Sequence, residues 1–264
     1  MTVALPNGEA SVLKRVGVIL NLFSESNPSI GINDVEAALG VSSATAYRYL
    51  ADLFEIGMLS KASGRYMPGP KILELEYLIR KFDPILGLST DLMTDLSAGS
   101  GCHVLLARMY GQSLVEVYYA RGKGLPELNF VTGRKMPLFR GSQARAVLAF
   151  LNRRKLRRIY DLESGNPDRD AIGADWGTFI ETLGKTRRLG YYISRNELDD
   201  DVTGIAAPIF DEKGDVIGSL VLAFSSSHPP WPGEQAIADV TLNNARFITE
   251  RIAVAMTANG ANDE

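Results

Sequence analysis

The chain has one cysteine, Cys102, in 264 residues, and two histidines, His103 and His228. A single thiol excludes an internal disulfide and fits a reducing cytoplasm. So few soft ligands cannot build a Cys/His metal cluster, and no metal or other cofactor is expected. No run of 18 or more apolar residues marks a transmembrane helix. The N-terminus lacks the basic-then-apolar pattern of a secretory signal. A cytoplasmic protein with no membrane partner is therefore expected. Positive charge is also missing: the net charge is −3, and residues 1–81 carry eight Lys/Arg against eight Asp/Glu. Attraction to phosphate is weak per copy, so DNA binding would call for an oligomer. Catalytic constellations are absent too. Cys102 and His103 are adjacent, and neighbours in a strand point to opposite faces, so they cannot pair as nucleophile and base.

What is present begins at residues 32–53, INDVEAALGVSSATAYRYLADL. Asn33 with Glu36 reads as a capping box, and Val35, Ala38 and Leu39 form one apolar stripe. Gly40 stands where a positive φ is needed to end a helix. Ser42 caps a second helix whose inward face is Ala46, Tyr49, Leu50 and Leu53. Its outward residues are Ser43, Ala44, Thr45, Tyr47 and Arg48. Such a pair also occurs in all-α proteins, but here a hairpin follows: residues 58–61, a turn at 62–64, then 65–67. A hairpin after a recognition helix is the wing of a winged helix-turn-helix, which reads the major groove. Lys61 and Arg65 flank the wing tip, placed to meet phosphate. Val12, Val16, Ile19, Leu20 and Phe23 mark a bracing first helix.

Pro68-Gly69-Pro70 then breaks the chain. KILELEYLIRK, residues 71–81, predicts a connecting helix with one buried side, closed at Asp83-Pro84. The expected domains are thus 1–70, a winged helix-turn-helix with its wing at 58–67; 71–82, a linker helix; and 83–264. The last has helices over 85–96, 142–151, 175–188 and from Pro232 to about Met256. Strands are expected over 103–109, 113–121, 131–138, 191–194, 204–210 and 216–224. Hairpins with helices packed on them give an α+β domain around an antiparallel sheet. Arg153–Arg158 is the densest basic run and reads as a solvated helix face. Asp199–Asp201 reads as exposed acids rather than a cation site, which needs six or more placed oxygens. Trp231, between prolines, reads as a packing anchor.

From about Ser11 to Met256 the chain resembles the IclR family of bacterial transcriptional regulators. SVLKRVGVILNLF is similar to that family's first helix, and ATAYRYLADLFEIGML to its recognition helix and lead into the wing. The effector-domain signature is matched by Gly190, Ser194, Glu197, Ile205, Ala206, Ile209, Phe210 and Asp211. Gly204 departs from it, standing where the family usually has Cys, Ser or Ala. Phe139 and Arg140 depart again, replacing a histidine and a small residue. The resemblance implies a GAF-like effector domain that binds a small molecule, often an organic or aromatic acid. It also implies a dimer, often paired into a tetramer, on a palindromic operator. Carried over, the family's pocket falls on Ser142, Gln143, Ser194 and Gly204.

Physical chemistry adds a reading of the ligand. A helix start at Ser142 with free N–H groups favours an anion. Arg140 and Arg145 flank it and can clamp a carboxylate, the alternative being that both are surface or subunit-contact residues. Gly204 removes side-chain volume and is expected to admit a bulkier ligand. The resulting expectation is a DNA-binding regulator modulated by a small carboxylate. The competing class is a sensor or enzyme in which the helix-turn-helix is only an adaptor.

Overall fold

The computed structural model describes residues 11–129, 132–230 and 233–260. The chain divides into two compact units, 1–83 and 84–264.

In the first unit, α1 (Val12–Leu20) is capped by Ser11, α2 spans Ile32–Leu39 and α3 Ser43–Glu55. Gly40 ends α2 at φ 63, as its position predicts. The α2 cap differs from expectation. The cap is Gly31 and the helix starts two residues earlier than an Asn33 cap would allow, with Asp34 Oδ2, at the third helical position, accepting from the Gly31 N–H at 2.7 Å. The reason lies just upstream: Ile30 is locked to Tyr66 by two backbone hydrogen bonds of 2.8 Å, which fixes where the helix can begin. The wing is β1 (Leu59–Ala62) and β2 (Arg65–Pro68), antiparallel, with Ala62 opposite Arg65. Ser63 and Gly64 both have positive φ, 50 and 79, the condition for a two-residue turn matching strand twist. Ile19, Ile30, Val35, Ala46, Leu50, Leu53, Leu59 and Tyr66 form the core.

Pro68-Gly69-Pro70 is a tight junction rather than a loose break. A Cβ on Gly69 would stand 2.2 Å from the Gly57 carbonyl oxygen. The Gly69 N–H bonds to the Met58 carbonyl at 2.8 Å. The next helix, α4 (Pro70–Phe82), begins at once. Contrary to expectation, α4 has no buried residue, and Leu73, Tyr77, Ile79 and Phe82 are each more than half exposed.

The second unit is built on a six-stranded antiparallel sheet. Its elements run α5 (Pro84–Ser100), β3 (His103–Tyr110), β4 (Ser113–Ala120), β5 (Lys135–Met136), α6 (Ser142–Leu148), α7 (Arg153–Leu162), α8 (Pro167–Ile172), α9 (Trp176–Leu189), β6 (Tyr192–Arg195), β7 (Val202–Phe210), β8 (Val216–Ser225) and α10 (Glu234–Gly260). The strand order is β5-β4-β3-β8-β7-β6. The expected strand over 131–138 shrinks to β5, its first residue lying outside the described residues, and α8 was not foreseen. Trp231 also lies outside the described residues. α5 and α10 cover one sheet face, sharing a core with Val104, Leu106, Ile205, Leu220, Leu222 and buried Cys102. α6 covers the other, with α9 packed against α6, around Phe139, Val147, Leu148 and Phe179. The basic run lies on α7, which buries Leu156, Ile159 and Tyr160 and leaves Arg157 paired with Asp161 at 2.9 Å. No helix among the described residues is long and apolar enough to cross a membrane.

Candidate functional site

Two places carry the sequence-predicted residues. On α3, burial of Ala46, Tyr49, Leu50 and Leu53 turns the opposite side outward. Ser43, Ala44, Tyr47 and Arg48 are exposed and Thr45 is half-buried. Ser43 Oγ donates to the Glu36 carboxylate, which pins the start of α3 to α2. Lys61 is exposed near the wing tip, its ammonium 5.2 Å from the Tyr66 ring centre. Arg65, half exposed beside the wing turn, also makes contacts within the unit. Its guanidinium donates to Ser29 Oγ at 2.9 Å and the Ser29 carbonyl at 2.6 Å, and lies 3.2 Å from Asp34. Asp34 therefore caps α2 and holds the wing with one oxygen.

The second place is a small cavity, about 40 Å³, between α6 and the sheet. Ser142, Gln143, Ser194 and Gly204, all expected, line it, with Leu105, Leu198 and Val221 among the apolar walls. That volume holds a few waters, so an organic occupant must push lining side chains aside. Two acids that sequence reasoning left out of the site also line it, Glu197 and Asp199. Glu197 Oε2 accepts from the Gly141 N–H at 2.8 Å, and Tyr192 donates to Oε1 at 3.1 Å. Asp199 Oδ1 accepts from the Asn129 backbone at 3.0 Å. The N–H of Ser142 donates to Ser194 Oγ at 3.1 Å. The helix start predicted to await an anion is thus already served, by one of the protein's own carboxylates and a hydroxyl.

The arginines turn elsewhere. Arg140 is exposed, donates to the Glu197 carbonyl and stands 3.9 Å from Asp168. Arg145 is buried on α6 and lies 5.3 Å from the Tyr192 ring centre. Neither lines the cavity, so the flanking carboxylate clamp is not formed. Gly204 corrects a second expectation. A Cβ there would meet Ser142 Oγ at 2.8 Å and Ser194 Oγ at 3.3 Å, so the volume glycine frees is filled by these hydroxyls.

Behind the cavity sits a residue the sequence did not single out. Glu116 on β4 is fully buried. Its Oε2 contacts the Gln143 side-chain amide nitrogen, and its Oε1 has no hydrogen-bond partner. Burial pushes its carboxyl up to about 8, against smaller opposing pulls from the Gln143 amide and the Leu106 N–H. His103 serves structure: its Nδ1 bonds Tyr119 Oη at 3.0 Å and accepts from the Gly122 N–H at 3.2 Å. Asp201 likewise ties residues 225–227 by accepting from Ser225 and Ser227. No group of His, Cys, Asp or Glu that could hold a metal occurs among the described residues.

A winged helix-turn-helix and a small cavity on one chain narrow the possibilities, and comparison decides between them. The family described as "Bacterial transcriptional regulator IclR C-terminal" matches residues 81–248, and the "IclR helix-turn-helix domain" matches 12–63. The chain belongs to the IclR family. This IclR protein is 26% identical to the HTH-type transcriptional regulator KipR of Bacillus subtilis, covering 92% of this chain and 99% of that one. It is 23% identical to KdgR of Escherichia coli, with 83% of each covered. Among solved structures, an IclR transcriptional regulator from Silicibacter superposes with a TM-score of 0.78 at 23% identity, covering 92% and 96%. An IclR homologue from Microbacterium hydrocarbonoxydans, complexed with 4-hydroxybenzoate, gives 0.72 at 18%, covering 92% and 100%. These matches are transcriptional regulators, and the adaptor-enzyme reading is set aside. The chain is an HTH-type regulator, not an enzyme.

Proposed function

We propose that the protein binds an operator as a dimer or tetramer, and that a small molecule in the cavity beside Ser142, Gln143, Ser194 and Gly204 modulates that binding. Ser43, Ala44, Thr45, Tyr47 and Arg48 reach base edges or phosphates, Lys61 meets phosphate from the wing, and Arg65 holds the wing in place. The exposed side of α3 in this winged unit is the observation that carries the DNA reading. The balanced charge of residues 1–81 supports an oligomer, since few phosphates are neutralised per copy. A gel shift on DNA flanking the protein's own gene tests the proposal. No retarded complex at any protein concentration up to the micromolar range would overturn it.

The effector fits best as a small, uncharged molecule. Glu197 and Asp199 line the cavity and no arginine does, so a free carboxylate meets like charge. A carboxylate remains the second reading, because the similar Microbacterium protein is complexed with 4-hydroxybenzoate. It would have to take Glu197's place on the Gly141 N–H. In either case the ligand is bound and released unchanged. It acts only through its different affinities for two arrangements of the oligomer. Thermal-shift screening of polyols, sugars and aromatic acids separates the readings, since a ligand specific to the folded state raises stability.

A further inference from the structure

Glu116 and Gln143 form a buried pair between the sheet and α6. The Glu116 backbone is satisfied by the neighbouring segment: its N–H bonds the Arg134 carbonyl at 2.9 Å, and its carbonyl accepts from Gly133 at 2.7 Å. Its side chain lies on the α6 side of the sheet. Around the carboxyl, α6 contributes the Gln143 amide, β3 the Leu106 N–H, and no charged side chain enters among the groups that perturb it. Gln143 in turn lines the cavity, and its backbone carbonyl is 3.4 Å from Ser219 Oγ.

The two ends of a glutamine amide, an acceptor oxygen and a donor NH₂, are alike in size and exchange places by a flip of the side-chain amide. An ionised Glu116 can only accept, so it takes the amide NH₂ and leaves the Gln143 oxygen for the cavity. A protonated Glu116 can donate from Oε2, takes the amide oxygen and leaves the NH₂ for the cavity. The unpartnered Oε1 favours the second arrangement. A buried carboxylate oxygen without a donor is costly, whereas a neutral carbonyl oxygen in the same place costs far less.

We propose that Glu116 is a positioning residue that sets which hydrogen-bonding group Gln143 shows to a ligand in the cavity. In the protonated state Gln143 presents N–H groups and selects a carbonyl or hydroxyl oxygen. In the ionised state it presents an acceptor and selects a ligand hydroxyl or N–H. This rests on the cavity being the effector site, but its test does not.

The chain has three glutamines, Gln112, Gln143 and Gln235, so selective ¹⁵N-glutamine labelling of the full-length protein gives three side-chain amide pairs. Gln112→Ala and Gln235→Ala assign them by elimination. The Gln143 pair is expected to shift in one step with a midpoint near pH 8, and to lose that step in Glu116→Gln. Glu116→Asp, which keeps a carboxyl but withdraws it from Gln143, provides the same readout should Glu116→Gln fail to fold. A Gln143 pair that stays flat from pH 6 to pH 9.5 in the wild-type protein overturns the inference and leaves the effector reading intact. Failure of every ligand screen with the titration present sinks the effector reading alone.

Discussion

Gly204 and Ser142 compete for one space: the Cβ that Gly204 lacks would sit 2.8 Å from Ser142 Oγ. The bare strand lets α6 settle onto β7, and Ser142 then donates its N–H to Ser194 Oγ at 3.1 Å. Gly204→Ala is expected to push Ser142 toward the cavity and shrink a space already only about 40 Å³. The folded protein should keep its operator affinity and lose effector response by tenfold or more. Gel shifts with and without effector check this, and an unchanged response would show that the contact relaxes freely.

Ser194→Ala should cost stability as well as ligand response. It removes the partner of the Ser142 N–H, which is buried. An unpaired buried donor costs roughly 1–3 kcal/mol. Urea denaturation with unchanged m-value would record the loss, and a cost below a few tenths of a kcal/mol would mean that water replaces the hydroxyl.

Arg48→Ala is expected to weaken operator binding by roughly 1–3 kcal/mol if the side chain reads a base. The motive is its exposed place on α3. Competition with unrelated DNA distinguishes base from phosphate: an equal loss on both sequences makes Arg48 a phosphate contact, and no loss removes it from the interface.

Arg65→Ala is expected to act through order rather than through charge alone. Its guanidinium joins Ser29 and Asp34, so removal loosens the wing from α2. Asp34→Ala, which adds no DNA contact, should reproduce part of the affinity loss and lower the melting temperature. Were Asp34→Ala silent in both assays, the clamp would have no role.

The buried Glu116 carboxyl also gives stability a pH slope. Its folded value is about 8 against an ordinary unfolded carboxyl near 4.3. Between these values the folded state holds a proton that the unfolded state has released. Stability from this group is therefore complete below about pH 4 and falls as pH rises toward 8. Glu116→Gln should flatten that fall, measured as melting temperature against pH for both proteins. Parallel curves would mean that Glu116 titrates normally.

Much of the architecture was legible because its signals are local. Gly40 marked the end of α2, and Gly64 marked the wing turn, expected at 62–64 and narrowed by the structure to Ser63-Gly64. What escaped depends on contacts between distant segments. Asn33 is a good cap by type, and only the Ile30–Tyr66 bridge moves the cap to Gly31, where Asp34 closes it from the third helical position. Arg140 and Arg145 were read as pocket residues because they flank Ser142. All seven residues of α6 are buried, so no amphipathic pattern told which way Arg145 faces. Glu116 was passed over because an acid between valines reads as the solvent side of a strand. The layer that covers it, α6, lies some thirty residues downstream. Glu197 belonged to the matched signature, yet that match said nothing of its bond to Gly141.

Cys102 is fully buried against α5 and α10, and burial raises its thiol, holding it in the unreactive protonated form at neutral pH. The chain's only sulfhydryl is therefore a built-in clock. An alkylating reagent can reach it only when the helical layer lifts from the sheet, so labelling rate followed by mass spectrometry reads the opening frequency of the second unit. An effector that tightens that unit would slow the clock without any dye, tag or substitution.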